Sequence, residues 1–291
     1  MVCAEMVSAN ALHYKDERSL RMLATFPDEH PISMQVFGND PDRLAGAAQA
    51  AEAAGADVVD LNCGCPVPKI TKSGGGIALM KDEALFSRCV EAMVRAVRVP
   101  LTVKMRLGFR RGENFAVRFA KIAQDQGAAA VSIHARAQDD RHDGPPDLEG
   151  LGRVVRAVDI PVFGNGGVQT YENVRTMMET SGVAGVLVGQ AAIGNPFLFL
   201  EFLSAQSGGP SSWSAPVAER FSLLREHAKM IVEYYGETVG MRRLRKYLFS
   251  YVKGLPNAAA FRGRANRLDR LEDFLALVGD FEVKMGRSWA D

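Results

Sequence analysis

The segment ADVVDLNCGCPVPK, residues 56–69, contains a short apolar run that ends in two cysteines and two prolines. The apolar residues at 56–61 predict a buried strand, and Pro66 fixes the backbone just after it. Cys65 therefore lies on the turn that leaves a strand, where a thiol is well placed for chemistry. Free cysteines are more often small packing residues, and we keep that interpretation for Cys63.

Similar apolar runs alternate with helical patterns through the first two thirds of the chain. The predicted strands are Ser33–Phe37, Ala56–Leu61, Leu101–Met105, Ala129–Ile133, Pro161–Phe163 and Gly185–Val188. The predicted helices between them are Arg43–Ala54, Ala84–Val97, Ala116–Gln126, Leu151–Ala157 and Tyr171–Thr180. This alternation is typical of an α/β fold with parallel strands and helices outside them.

The near-continuous apolar strands favour a closed (β/α)8-type (TIM) barrel over an open doubly wound sheet. With an opening strand at Val2–Met6 the count is seven, so we expect a barrel that lacks its first strand. We assign residues 1–206 to this barrel, 207–216 to a linker rich in Ser, Gly and Pro, and 217–291 to a small helical bundle. The bundle helices are predicted at Val217–Tyr235, Met241–Lys253 and Ala265–Val278.

The composition, with 47% hydrophobic residues in a chain of 291, allows one large core. The four cysteines include no Cys-x-x-Cys pair, so we expect reduced thiols and no metal site. No run of about 18 apolar residues and no secretion signal is present, which predicts a cytoplasmic protein without membrane contact.

The formal net charge of +1 is unevenly distributed. The segment Val239–Arg270, here called the basic segment, holds nine basic residues and one acid, Asp269, which gives it a charge of +8. Its aromatic residues add to the pattern of a nucleic-acid-binding surface. An alternative is an amphipathic helix pair whose arginines bind the acids of Leu271–Asp280, and the sequence alone leaves both open.

The predicted strands end in polar residues or glycines. In a (β/α) barrel these carboxyl ends meet at one mouth. They supply Gln35, Asn62 with Cys65, Lys104 with Arg106, His134 with Arg136, Asn165-Gly166-Gly167, and Gly189-Gln190. A single member could be a rim salt bridge or a packing histidine, but six strands that end this way favour an active site. The glycine-rich ends of the last two strands are typical of loops that bind a phosphate.

Seven motifs together resemble the FMN-dependent tRNA-dihydrouridine synthases, from Glu5 to about Gly279. They are Glu5-Met-Val-Ser-Ala9, Gln35-Val-Phe-Gly38, Asn62-Cys-Gly-Cys-Pro-Val-Pro-Lys69, Val103-Lys-Met-Arg106, Ile133-His-Ala-Arg136, Gly164-Asn-Gly166 and Gly194-Asn-Pro-Phe197. The C-terminal helices, with Gly240-Met-Arg-Arg-Leu-Arg-Lys246, are similar to the helical tRNA-binding domain of that family.

The resemblance implies that FMN is bound in the barrel mouth and reduced by NADPH. The reduced flavin then gives hydride to C6 of a uridine while Cys65 protonates C5. The residues that the resemblance assigns to the cofactor are Gln35 and Lys104 for the isoalloxazine, His134 beside them, and Asn165, Gly166, Gly167, Gly189 and Gln190 for the ribityl phosphate side.

The resemblance also implies that tRNA is the partner. A uracil stacked in a helical region must leave its stack to reach the flavin, which requires a basic platform beside the pocket. Asn62, Arg106 and Arg136 are candidates for holding the extruded uridine. The candidates for contacting the tRNA backbone are Arg242, Arg243, Arg245 and Lys246.

Three features depart from the family pattern. The opening Pro-Met-Ala-Gly-Val-Thr-Asp strand is absent, so we expect the sheet to have open edges. Ala137, Gln138 and His142 stand where Thr-Arg and an aromatic residue are usual, and Gln190 replaces an arginine that commonly binds the phosphate.

The sequence alone leaves two other functions open. A dihydroorotate-dehydrogenase-like enzyme acting on a free pyrimidine would not need the basic segment. A tRNA-binding protein with a truncated barrel would have lost FMN. Flavin absorbance and tRNA binding separate these alternatives from a tRNA-dihydrouridine synthase.

Overall fold

The computed structural model describes residues 1–140, 144–209 and 215–288. Contacts divide the chain into two compact units, one formed by 1–168 and 172–188 and the other by 169–171 and 189–291. By its contacts, segment 189–206 thus groups with the C-terminal helices. Residues 210–214 of the predicted linker lie outside the described residues, and the limits 1–206, 207–216 and 217–291 stay a prediction.

The first unit is built on a parallel β-sheet. Its strands are β1 (Val2–Cys3), β2 (Val7–Ser8), β3 (Ile32–Phe37), β4 (Val58–Cys63), β5 (Leu101–Arg106), β6 (Ala130–His134), β7 (Val162–Asn165) and β8 (Gly185–Leu187). They pair in the order β1-β3-β4-β5-β6-β7-β8, and β2 also pairs with β3. Within the described residues no pairing joins β8 to β1, so the barrel-like sheet is open between these two edges.

The opening strand differs from the single run predicted at Val2–Met6, because it forms two short strands. Val2 and Cys3 pair with Ile32 and Ser33, whereas Val7 and Ser8 pair with Val36 and Phe37. The first strand therefore advances four residues from Cys3 to Val7 while its partner advances three, which leaves one extra residue, as in a β-bulge. This extra residue interrupts the pairing and explains the split.

From β2 onward, helices connect consecutive strands, as the sequence predicts. Those before residue 189 are α1 (Ala9–His13), α2 (Glu17–Arg21), α3 (Pro41–Ala53), α4 (Pro68–Thr71), α5 (Glu83–Ala96), α6 (Ala116–Asp125), α7 (Leu148–Val155) and α8 (Tyr171–Ser181). Helix α5 begins at the cap residue Asp82, whose side chain accepts the N–H of Leu85. Its buried face includes Phe86, which packs edge-to-face on Phe119 of α6 with ring centroids 4.9 Å apart.

The second unit is helical. Its helices are α9 (Phe197–Gln206), α10 (Val217–Tyr235), α11 (Glu237–Leu244), α12 (Leu248–Val252), α13 (Ala258–Ala265) and α14 (Leu271–Ser288). Helix α10 has the predicted limits, but the helix predicted at Met241–Lys253 is wrong, because the chain forms α11 and α12 instead. The N–H of Tyr247 bonds to the carbonyl of Leu244, a three-residue step that ends the α-helical pattern there.

The helix predicted at Ala265–Val278 is also wrong, because α13 ends at Ala265 and α14 begins at Leu271. The side chain of Glu237 accepts the N–H of Leu271 at 2.8 Å and so satisfies a free donor at the start of α14. Glu272 and Asp273 lie in the first turn of α14, where negative charge is favourable.

None of the helices in the described part of the chain is long and apolar enough to cross a membrane. The second unit has its own core instead, in which Phe221 of α10 is fully buried and packs edge-to-face on Phe281 of α14 at 5.7 Å. Phe274 and Val278 of α14 are also fully buried there.

We predict that Phe221→Ala lowers the free energy of unfolding by about 3–5 kcal/mol, because it removes a fully buried ring and leaves a cavity. Denaturant unfolding of the whole chain, followed by the helical circular dichroism signal, measures this loss. Phe249→Ala is the matched control, since Phe249 is 55% exposed and its loss should change stability by less than about 0.5 kcal/mol. Equal effects of both substitutions would contradict the packing described for α10.

Candidate active site

A cavity of about 150 Å³ opens at the carboxyl ends of β4, β5 and β6. An apolar cavity of this volume holds benzene, so a single six-membered ring fits the space. Parallel pairing places Asn62 opposite Lys104, and Arg106 opposite His134, so that these side chains reach the same edge of the sheet. The lining residues are Asn62, Gly64, Cys65, Pro66, Lys104, Arg106 and His134.

The loop after β4 carries the Cys65 thiol, and hydrogen bonds hold both its N–H groups and its carbonyl groups. Asn62 Oδ1 accepts the N–H groups of Gly64 at 3.1 Å and of Cys65 at 2.9 Å. The carbonyl of Gly64 accepts from Arg106 Nε at 3.0 Å, and that of Cys65 accepts from the N–H of Ile77 at 3.1 Å. These four bonds fix the backbone of the loop and so the position from which the thiol faces the cavity.

The two cysteines of this motif differ in environment. Cys65 is half-buried and lines the cavity, whereas Cys63 is fully buried. Burial raises the pKa of the Cys63 thiol well above its ordinary value. Cys63 therefore has the properties of a packing residue, and Cys65 is the thiol that a bound molecule can reach.

Lys104 places a cation in the same cavity. Its Nζ donates to Asn165 Oδ1 at 3.3 Å, and Asn165 Nδ2 donates to the carbonyl of Leu187 at 2.9 Å. Burial lowers the pKa of Lys104, and the nearby Asp60 carboxylate opposes that shift. The ammonium donates to a neutral amide rather than to a carboxylate, which leaves its charge available to an anionic ligand.

Two buried guanidinium groups add positive charge at the mouth. Arg106 Nη1 donates to the carbonyl of Ala137 at 3.0 Å, and Arg136 Nε donates to that of Gly144 at 3.0 Å. Arg136 Nη1 also lies 3.4 Å from His134 Nε2. Burial lowers the pKa of Arg106, and Arg136 acts in the same direction. Because loop carbonyls hold both arginines, their orientation is set before any ligand binds.

Glycine is required after β7. Gly166 has φ +113°, a conformation that side chains disfavour, and a Cβ there would lie 2.8 Å from His134 Cδ2. Gly167 follows with φ +72°. The backbone of this loop therefore passes directly against His134.

The sequence of this chain is similar to those of known proteins. The sequence matches the family described as "Dihydrouridine synthase (Dus)" over residues 1–284. The chain belongs to the dihydrouridine synthase family. It is 37% identical to "tRNA-dihydrouridine synthase B" of Pseudomonas aeruginosa, over 97% of this chain and 85% of that protein. It is 38% identical to "Probable tRNA-dihydrouridine synthase 1" of Synechocystis, over 94% of this chain and 76% of that protein.

A solved structure supports the fold assignment. The histamine dehydrogenase of Rhizobium sp. 4-9 superposes with a TM-score of 0.54 at 14% identity, covering 71% of this chain and 41% of that one. At this identity the likeness concerns the fold alone. The resemblance found in the sequence motifs and the predicted α/β barrel class are thus confirmed for this chain.

The structure brings most of the predicted site residues together. Asn62, Cys65, Lys104, Arg106 and His134 line one cavity, and their hydrogen-bond partners include three further predicted residues, namely Gln35, Arg136 and Asn165. Gly189 and Gln190 belong to the second unit, as do Arg242, Arg243, Arg245 and Lys246. The functional roles assigned to all these residues stay predictions.

Two of the positions that depart from the family pattern, Ala137 and Gln138, form backbone hydrogen bonds within the first unit. The N–H of Ala137 donates to Asp140 Oδ2 at 3.0 Å, and the N–H of Gln138 donates to the carbonyl of Gly108 at 2.9 Å. Both contacts stabilise the loop after β6. His142 lies outside the described residues.

The described contacts of the basic segment bear on both interpretations of its charge. Arg245 pairs with Asp269 at 2.8 Å, a contact within the segment itself, and Arg270 pairs with Glu272 of α14 at 3.3 Å. Arg243 instead lies over the ring of Tyr235 at 4.0 Å, and Lys246 lies over that of Tyr247 at 4.6 Å. Cation–π contacts of this kind hold a charge in place without neutralising it.

Sequence reasoning missed Asp60, a buried carboxylate in the middle of β4. Gln35 Nε2 donates to its Oδ2 at 2.6 Å, and the hydroxyl of Thr102 donates to its Oδ1. A signal was present, since Asp60 interrupts the apolar run of residues 58–61, and a charge at such a position needs partners.

Proposed function

We propose that this protein is an FMN-dependent tRNA-dihydrouridine synthase, which reduces the C5–C6 double bond of uridine in tRNA. The observation that carries the proposal is the Cys65 thiol in a ring-sized cavity beside Lys104, in a chain of the dihydrouridine synthase family. We propose NADPH as the reductant and the cytoplasm as the compartment.

The residues of the first unit fit a flavin at the strand ends. Lys104 supplies a half-buried cation that donates to a neutral amide, and Gly166 lets the backbone after β7 pass close to His134. Lys104, Gln35 and His134 would hold the ring, while Asn165, Gly166 and Gly167 would hold the ribityl phosphate side. When bound, the flavin supplies the hydride that reduces C6 of the uridine.

Cys65 supplies the proton in this scheme. Its Sγ–H bond breaks as the proton passes to C5, and the thiolate that is left takes up a proton from solvent before the next turnover. Arg106, buried in the same cavity, places positive charge near that thiolate. Arg136 and Asn62 are proposed to orient the uracil, and the four backbone bonds of the Cys65 loop keep the thiol in place.

The first experiment combines a flavin absorbance spectrum of the purified chain with a tRNA gel-shift. Bound flavin together with tRNA binding and NADPH-dependent formation of dihydrouridine would support the proposal. Flavin without tRNA binding would favour a free pyrimidine substrate, and tRNA binding without flavin would favour a binding protein.

We predict that Cys65→Ala keeps bound flavin but slows uridine reduction on the order of 10²–10⁴-fold, because it removes only the proton donor. Cys63→Ala is the matched control and should have little effect, since Cys63 is fully buried. The measurement is dihydrouridine formed in tRNA by pre-reduced enzyme. Equal rates for both variants would remove Cys65 from the reaction.

We predict that Lys104→Ala lowers the amount of flavin bound per chain and slows reoxidation by tRNA, because it deletes the cation expected beside the reduced ring. The flavin absorbance relative to protein measures the first effect, and single-turnover kinetics measure the second. Lys121→Ala, at an exposed position on α6, is the control. Unchanged flavin content and rate in Lys104→Ala would mean that this lysine has a structural role only.

The basic segment gives a further prediction. The triple substitution Arg242→Gln, Arg243→Gln and Lys246→Gln should weaken tRNA affinity and flatten its salt dependence, with a slope smaller by up to about 3, because fewer counterions are released. Flavin reduction by NADPH should stay unchanged, since it needs no RNA. A matched triple removes three exposed arginines near the amino ends of β5 and β7, Arg95, Arg98 and Arg156. If both triples give the same salt slope as the unmodified chain, the basic segment does not bind tRNA.

A further inference from the structure

Asp60 is a buried titratable group that the proposed reaction does not use. It is 5% exposed and lies on β4, directly before the apolar Leu61 and two residues before Asn62. Both of its carboxylate oxygens accept hydrogen bonds, one from Gln35 Nε2 at 2.6 Å and the other from the hydroxyl of Thr102. Burial raises the pKa of Asp60, and these two bonds oppose that rise.

The hydrogen bonds continue from Asp60 to the thiol loop. Gln35 donates through Nε2 to Asp60 and accepts through Oε1 from Asn62 Nδ2 at 2.7 Å. Asn62 in turn accepts through Oδ1 from the N–H groups of Gly64 and Cys65. Two side-chain amides thus link a buried carboxylate to the backbone of the catalytic loop.

The direction of this series of hydrogen bonds, here called the Asp60 hydrogen-bond series, is fixed at both ends. A side-chain amide has one donor end and one acceptor end, so the partner at one end decides what the other end can bind. Both oxygens of Asp60 accept hydrogen bonds, so the NH2 group of Gln35 faces Asp60 and its oxygen faces Asn62. Backbone N–H groups only donate, which requires the oxygen of Asn62 at the Cys65 loop. The two requirements agree, and each amide has one orientation.

We propose that Asp60 is a positioning residue that sets, through Gln35 and Asn62, the backbone at Cys65 and so the position of its thiol. What the thiol does there rests on the proposed function, whereas its positioning does not. The carbonyls of the loop are held separately, by Arg106 and by the N–H of Ile77. The Asp60 hydrogen-bond series holds the N–H groups of the loop, since Asn62 Oδ1 accepts from both Gly64 and Cys65.

The test measures thiol reactivity, which requires neither flavin nor tRNA. The native protein as purified is treated with iodoacetamide, and the alkylation rate of each cysteine is followed by peptide mass spectrometry. The rate at Cys65 is compared with that in the unmodified chain, because Asp60 also raises the pKa of the exposed Cys3 thiol. Cys63 and Cys89 are buried and report loss of the fold. The variants are Asp60→Leu, Asn62→Ala, the double variant and Asp60→Asn. Asp57→Asn is the matched control, because this carboxylate lies just before β4 and caps the N–H of Ile32.

Asp60→Leu should raise the rate at Cys65 several-fold relative to the unmodified chain, with Cys63 and Cys89 still protected. The double variant should react no faster than Asn62→Ala, because both changes release the same two N–H groups. Asp60→Asn should restore the rate of the unmodified chain, since its oxygen still accepts from Gln35 and its NH2 can donate to Thr102. Asp57→Asn should leave Cys65 unchanged.

An unchanged Cys65 rate in Asp60→Leu, or additive effects in the double variant, would overturn the proposal. If Asp60→Leu exposes Cys63 and Cys89, the variant Gln35→Met tests the proposal instead. It interrupts the Asp60 hydrogen-bond series while Asp60 keeps its bond from Thr102. An unchanged Cys65 rate in Gln35→Met overturns the proposal, and a several-fold rise supports it. A chain that forms no dihydrouridine but follows the expected alkylation pattern would refute the proposed function and leave the positioning role intact.

Discussion

Parallel register is the constraint on which the candidate site depends. Gln35 pairs with Asp60, and two residues farther along β4 Asn62 pairs with Lys104. His134 pairs with both Arg106 and Asn165. Side chains alternate between the faces of a strand, so a shift of one residue in any pair would turn its polar groups to the other face. The apolar residues between them, such as Leu61 and Val103, are fully buried and specify this register. The polar cluster is therefore a consequence of the core that surrounds it.

Burial of charge is the second feature of the site. Lys104 and Asp60 each have a pKa shifted toward the neutral form by burial, and each opposes that shift in the other through its charge. Charges in such an environment act more strongly on a ligand than they would in water, since less solvent screens them. Their hydrogen bonds to neighbouring amides and hydroxyls hold them in place, so little reorganisation is needed when a ligand binds.

Much of the first unit could be predicted from the sequence, because its signals are local. The β-branched run at Leu101–Met105 and the apolar spacing at Ala84–Val97 each lie within one residue of β5 and α5. Polar residues at strand ends predicted the cavity, since parallel strands bring those ends to one edge. The breaks between α11 and α12 and between α13 and α14 could not be predicted this way, because apolar spacing continues through them. They depend on a three-residue hydrogen bond at Tyr247 and on Glu237, which lies far from Leu271 in the sequence.

Asp60 illustrates why the remainder of the site was not predictable. Its partners Gln35 and Thr102 lie 25 and 42 residues away in the chain, so only the folded sheet shows that the three side chains meet. In a strand pattern, one aspartate among apolar residues is only an irregularity. Its burial nevertheless requires hydrogen-bond donors, because a buried carboxylate without them is costly in free energy. The same reasoning applies to Asn62, which the motif suggested as a ligand for uridine. In the structure its oxygen is occupied by two backbone N–H groups and its NH2 donates to Gln35, so its main constraint comes from the protein itself.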